Sequence, residues 1–185
     1  MRRLAVTLAF AGARVEPAVA QDTSARAVDV VRSRASFSVS HLLVRRVEGT
    51  VPIVSGAVTF AAGSNVPTSI EATLDPKRIA TDDADRDDDL QGPDWFDTKA
   101  FPTWTYRSET IAAAAGGGFT VSGTLTVHGK GEPVTLAVTP AADGPAGPSY
   151  HAVGHASRKG FGMRVTQFDA IVGDDIAIVL NVTLK

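Results

Sequence analysis

The stretch FTVSGTLTVH at residues 119–128 separates its side chains into two sets with a period of two. Phe119, Val121, Leu125 and Val127 fall with Gly123 on one side, and Thr120, Ser122, Thr124, Thr126 and His128 on the other. A helix of 3.6 residues per turn would mix the two sets, whereas an extended strand keeps one oily face and one wet face. Such a strand carries backbone donors and acceptors that neighbouring strands must satisfy. IAIVLNVTL at 176–184 repeats the pattern through Ile176, Ile178, Leu180, Val182 and Leu184. Shorter copies place Phe37 with Val39, Ile70 with Ala72 and Leu74, and Val134 with Leu136 and Val138.

Turn-forming residues punctuate these runs at Gly63-Ser64-Asn65, Gly116-Gly117-Gly118, Gly129-Lys130-Gly131, Asp143 to Pro148 and Gly173-Asp174-Asp175. The pattern predicts about eight strands, near 27–33, 35–41, 46–61, 68–80, 102–113, 118–129, 131–140 and 150–160, and a closing one near 174–184, with one of the first two an irregular piece of the other. Evenly spaced antiparallel strands of this kind form a barrel or a sandwich. Helical signal is confined to one place, where Asp82 or Asp83 caps a short helix that Gly92-Pro93 stops, and Trp95 and Phe96 follow directly.

A chain of 185 residues suffices for one domain with a real core. Residues 1–20 have the make-up of a secretory signal peptide, with a basic MRR start, an apolar stretch and a small-residue site ending at Ala20. The expected organisation is therefore a leader at 1–20 and one domain over 21–185, in an exported protein, periplasmic or secreted if the source is bacterial, without an integral membrane segment once the leader is removed. Removing the leader takes away Arg2, Arg3, Arg14 and Glu16 and shifts the net charge from −2 to −4. That balance argues against nucleic acid as a partner. With no cysteine, the chain has no disulfide framework, thiol nucleophile or thiolate metal site.

The polar motifs carry little chemistry. Asp83, Asp85, Asp87 and Asp94 have the spacing of calcium-loop ligands, but Asp88 stands where that loop needs glycine. His151 and His155 are four apart on a predicted strand, about 13 Å from one another, too far to meet at one ion. No nucleophile elbow or buried carboxylate pair is visible. The sequence therefore suggests no catalytic residues, no metal and no cofactor. The notable cluster is apolar: Trp95, Phe96, Phe101, Trp104 and Tyr106, then Phe161 and Met163. These side chains either fill a solid barrel core or line a cavity for one small ligand.

The successive segments SRASFSVSHLLVRRVEGTV, RDDDLQGPDWFDTKAFPTWTYRSETI, VSGTLTVHGKGEPVTLAV and SRKGFGM resemble, in order, the YceI-like family of secreted, lipocalin-like polyisoprenoid-binding proteins. Phe37, His41 and Gly49 match its first motif, and Arg86, Asp87, Leu90, Asp94, Phe96 and Asp97 its rim motif. Phe101 with Pro102, then Gly123, Leu125 and Gly129, then Arg158, Phe161, Gly162 and Met163 match the rest. Three positions depart from the pattern: Asp89, Trp95 and Gly160 stand where the family usually has a histidine, a phenylalanine and an acidic residue.

The resemblance implies an all-β fold, a closed antiparallel up-and-down β-barrel of about eight strands with a short helical insertion near 83–97. It implies a long-chain polyisoprenoid, or a similar amphiphilic lipid, held inside for transport or storage. The candidate cavity residues are Phe37, Val39, Phe60, Trp95, Phe96, Trp104, Tyr106, Val121, Leu125, Phe161, Met163, Ile178 and Leu180. His41, Arg86 and Arg158 are candidates for a polar head group, with pairing of Arg158 to an aspartate as a structural alternative for that side chain. The rival reading is a ligand-free barrel acting as a stress-protective or protein-interaction module. A weaker third is a lipid-processing enzyme using His41 or Tyr106. The sequence leaves room for a homodimer.

Overall fold

The computed structural model describes residues 23–42, 45–141, 147–163 and 171–185. The expected leader at 1–20 and most of the turn after Asp143 lie outside the described residues. The chain folds as β1 (Thr23–Ala27), β2 (Arg34–His41), β3 (Arg45–Thr50), β4 (Ile53–Ala61), β5 (Pro67–Leu74), α1 (Ala84–Leu90), β6 (Trp104–Ala113), β7 (Phe119–Val127), β8 (Lys130–Pro140), β9 (Ser149–Ser157) and β10 (Val172–Thr183). The strands form one antiparallel sheet in the order β1-β4-β5-β6-β7-β8-β9-β10-β2-β3.

In place of the expected closed barrel of about eight strands there is a ten-stranded sheet, strongly curled into a half-barrel. The N-terminal segment shows the curl. Residues 23–27 pair with β4, and the next residue, Val28, bridges to Leu184 beyond β10, seven places along the sheet order from β1. The Asp29 N–H then donates to the Thr183 carbonyl at 2.8 Å.

Three expected strands differ for local reasons: that over 68–80 ends at Leu74, where the Asp75 side chain caps a 3-10 turn at Pro76–Arg78, and two others change as follows. The strand expected over 27–33 ends at Ala27, because the Asp29 carboxylate accepts the N–H groups of Val31 and Arg32 and the Arg32 guanidinium. A side chain that captures nearby backbone donors offers the chain an alternative to the ladder. The strand expected over 46–61 breaks at Val51-Pro52 into β3 and β4. Proline has no N–H for a ladder, and here its carbonyl accepts from the Asp75 N–H at 2.9 Å.

The alternation in the sequence becomes burial on the concave side. In β7, Phe119, Val121 and Val127 are buried, and in β8 so are Val134, Leu136 and Val138. The hairpin between these strands turns through His128 and Gly129, with φ of 51° and 71°. Glycine is required at the second position, since a Cβ there would lie 2.4 Å from Cε1 of Phe101. The helix starts as expected, with the Asp83 carboxylate accepting the Arg86 N–H at 3.1 Å.

Candidate functional site

The concave face does not pack solid. It encloses a cavity of about 390 Å³, in the lower part of the roughly 300–1,000 Å³ range of ligand sites. Its wall draws on every strand except β1 and is almost wholly hydrocarbon and aromatic. The space exists because β9 contributes little bulk: its inward phase runs Tyr150, Ala152, Gly154, Ala156. Large side chains from β6, β7 and β8 therefore face methyl groups or bare backbone across part of the interior.

The structure brings together most of the residues expected from sequence. Phe37 and Val39 line the cavity from β2, Trp104 and Tyr106 from β6, Val121 and Leu125 from β7, and Ile178 and Leu180 from β10. Phe161 and Met163, each 2% exposed, close one side. Trp95 and Phe96 reach it from the segment after α1, and Phe96 meets the Trp104 ring edge to face at 4.7 Å.

Phe60 is the exception. It packs in a second, smaller cluster with Val28, Val58 and Leu184, and does not line the cavity. The correct phase of β4 turned it inward, but its place near the strand's end puts it beyond the open space. Among residues not singled out, Ile53, Ile70, Leu74, Val134, Leu136, Val138 and Ala152 line the wall. The alternation within β5 and β8 is the signal for Ile70, Leu74, Val134, Leu136 and Val138.

The three polar candidates lie at the wall with distinct engagements. The Arg86 guanidinium donates from Nε to the Thr81 hydroxyl at 2.8 Å and from Nη2 to the Thr81 carbonyl at 2.7 Å, and pairs with Asp83 at 3.4 Å. The Thr81 hydroxyl in turn donates to Asp87 at 2.6 Å. The acidic run thus builds a cap and a clamp: Asp83 starts α1, and Asp87 and Arg86 hold Thr81 beneath it. Arg158, 3% exposed, donates to the backbone carbonyls of Met163, Val172 and Gly173 and lies 5.9 Å from the Trp95 ring. It ties the segment after β9 to the start of β10. His41 lines the cavity at the end of β2, where it pairs with Arg45 and Val172.

Two side chains of β6 that line this oily interior carry hydrogen-bond donors. The Tyr106 hydroxyl donates to the carbonyls of Val134 at 3.3 Å and Val121 at 3.5 Å. Burial, and secondarily the charge of Glu109, push its phenol up to about 12, so it stays a donor at neutral pH. The Trp104 Nε1 is buried without an acceptor among the described residues.

Fold and cavity together define an all-β protein in which one curled sheet wraps an apolar space of ligand size. Residues 27–184 match the model of the YceI-like domain, and the chain belongs to the YceI-like family. Among solved structures, it is similar to Burkholderia cenocepacia BcnA, with 30% identity and a TM-score of 0.75 over 84% of this chain and 98% of that one. It shares its fold with a polyisoprenoid binding domain from Saccharophagus degradans at 12% identity, with a TM-score of 0.61 over 86% of this chain and 97% of that one. A UPF0312 protein of Vibrio vulnificus is 28% identical over 102 residues, which span 55% of this chain and 54% of that relative. The match thus covers about half the length of such curated relatives. Among the described residues, no helix is long and apolar enough to cross a membrane.

Proposed function

We propose that this protein holds a long polyisoprenoid or similar amphiphilic lipid in its interior, as a periplasmic or secreted carrier or store, and is not an enzyme. The observation that carries the reading is the hydrocarbon-lined cavity of about 390 Å³. Each methylene moved from water into such a space contributes about 0.8 kcal/mol, so a prenyl chain gains affinity unit by unit without polar contacts. The polyisoprenoid-binding domain that shares this fold supports the same class of ligand.

The proposal includes a sheet that closes through its own chain. β3 pairs with β2 while β4 pairs with β5, and only Val51-Pro52 separates β3 from β4. Counting that bent run as one stave gives an eight-stave barrel with β1 as an outer strap. The basic start and small-residue end of residues 1–20 support export. Arg86 and Arg158 act in this reading as clamps for the rim segments, and His41 is the candidate nearest to a polar head.

Mass spectrometry of organic extracts from gently purified protein tests the carrier. Isoprenoid in stoichiometric amount is the expected result, and repeatedly empty extracts count against it. Leu125→Trp and Phe161→Trp extend the test: a hollow barrel folds normally but loses lipid, whereas a filled core is destabilised by overpacking. Cell fractionation with N-terminal sequencing checks export, with Gln21 expected as the mature first residue.

A further inference from the structure

The β6 donors carry a consequence for ligand chemistry. Trp104 is 9% exposed and lines the cavity, yet its indole N–H has no acceptor among the described residues. Leaving a buried donor unpaired is costly, and most native buried donors avoid it. A water serving it would need two to four polar partners, and the wall around it is mostly hydrocarbon and aromatic. Two residues along the same strand, about 7 Å away, the Tyr106 hydroxyl makes only contacts of 3.3 and 3.5 Å, well beyond the usual 2.7–2.8 Å or so for a hydroxyl donor. Among the described residues, then, one donor lacks an acceptor and its inward neighbour is loosely held.

We propose that Trp104 and Tyr106 form a hydrogen-bonding subsite inside the cavity, which selects lipids carrying a neutral oxygen acceptor, such as a carbonyl or ester, over pure hydrocarbon. The proposal rests on the lipid-binding reading and narrows it. A neutral acceptor fits because both donors are themselves neutral, and an anion without a paired cation would lose its hydration in this wall. The Phe96 ring, edge to face against the indole, sits on the segment between α1 and β6, outside the sheet ladder. The indole N–H is buried in this structure, so the subsite requires a shift of neighbouring side chains, such as that ring, before a ligand oxygen can reach it.

The test compares geranylgeranyl acetate with the hydrocarbon in which isobutyl replaces its acetoxy group, by calorimetry on wild type, Trp104→Phe and Tyr106→Phe. Wild type is expected to bind the ester about tenfold more tightly, the worth of one good buried hydrogen bond. Trp104→Phe is expected to erase that preference by weakening the ester about tenfold more than the hydrocarbon, and Tyr106→Phe to reduce it severalfold. Equal wild-type binding of the two probes overturns the inference, as does a Trp104→Phe protein that weakens on both alike, since that marks a packing role. If neither probe binds wild type, the lipid-binding reading falls and this subsite with it.

Discussion

Two close approaches at the residue scale shape the rim and the wall. Gly49 lies opposite Phe37 in the β2–β3 pair, and a Cβ there would come within 2.5 Å of Phe37 Cζ and 2.9 Å of Thr81 Cγ2. The bare backbone lets the phenylalanine ring lie flat against the sheet beside the cavity. Gly49→Val should therefore destabilise the fold by about 1–3 kcal/mol through overpacking, read as a lower denaturant midpoint, and weaken lipid binding by tilting Phe37 inward. Thr81, 4% exposed, joins Arg86 to Asp87 through a single hydroxyl. Thr81→Val keeps the shape and removes that link, and the expected loss is about 1–3 kcal/mol in urea unfolding, because charged partners are left unsatisfied. Neither role is visible in sequence alone. Gly49 and Arg86 stand out there only through a family resemblance, which says that they matter without saying what they touch.

At the scale of the element, β9 decides whether the interior is hollow. Its inward residues Ala152 and Ala156 are buried yet small, and both line the cavity. Replacing both with leucine should fill space that is already vacant. The expected outcome is a melting temperature no lower than wild type with lipid affinity reduced at least tenfold, measured by thermal unfolding and calorimetry; a large drop in stability would show that the site has no room. The strands themselves were legible, since β7, β8 and β10 follow their hydrophobic period closely. Boundaries failed where side chains compete with the ladder, at Asp29, or where the ladder lacks a donor, at Pro52. Phase puts Phe60 on the inward face of β4 but carries no information about how far along the strand the open space extends.

For the whole molecule, stability couples to both ligand and protons. A ligand that binds only the folded protein adds about 2.7 kcal/mol at a hundred times its Kd, so an extracted, lipid-free sample should melt lower and recover on adding lipid. Two carboxylates set the acid limit. The Arg32 guanidinium first, together with the Arg32 and Val31 N–H groups, holds Asp29 below its ordinary value of 3.8 against the opposing effect of burial. Burial alone would raise Asp174, but the Lys159 N–H, the Ser157 hydroxyl and the charges of Lys159 and Arg158 outweigh it and hold this group low as well. Depressed folded-state values mean stability that is present above about pH 4 and lost as pH falls through them. Denaturant midpoints should stay level from pH 7 toward 5 and drop below 4, and Asp174→Asn should lower the neutral value while flattening that drop.

The sequence by itself determined the all-β class, the inward phase of β2, β5, β7, β8 and β10, the capped acidic turn before the aromatic pair, and through its motifs the family. These follow from local rules: a period of two, a side chain that caps, a turn that needs glycine. Tertiary structure alone decided that the sheet curls around an open space, that Phe60 sits outside it, that Arg86 and Arg158 clamp backbone, and that the Trp104 N–H finds no acceptor among the described residues. Whether an inward side chain fills, lines or misses a cavity depends on what strands distant in sequence place opposite it, and periodicity within one strand carries no record of that distance.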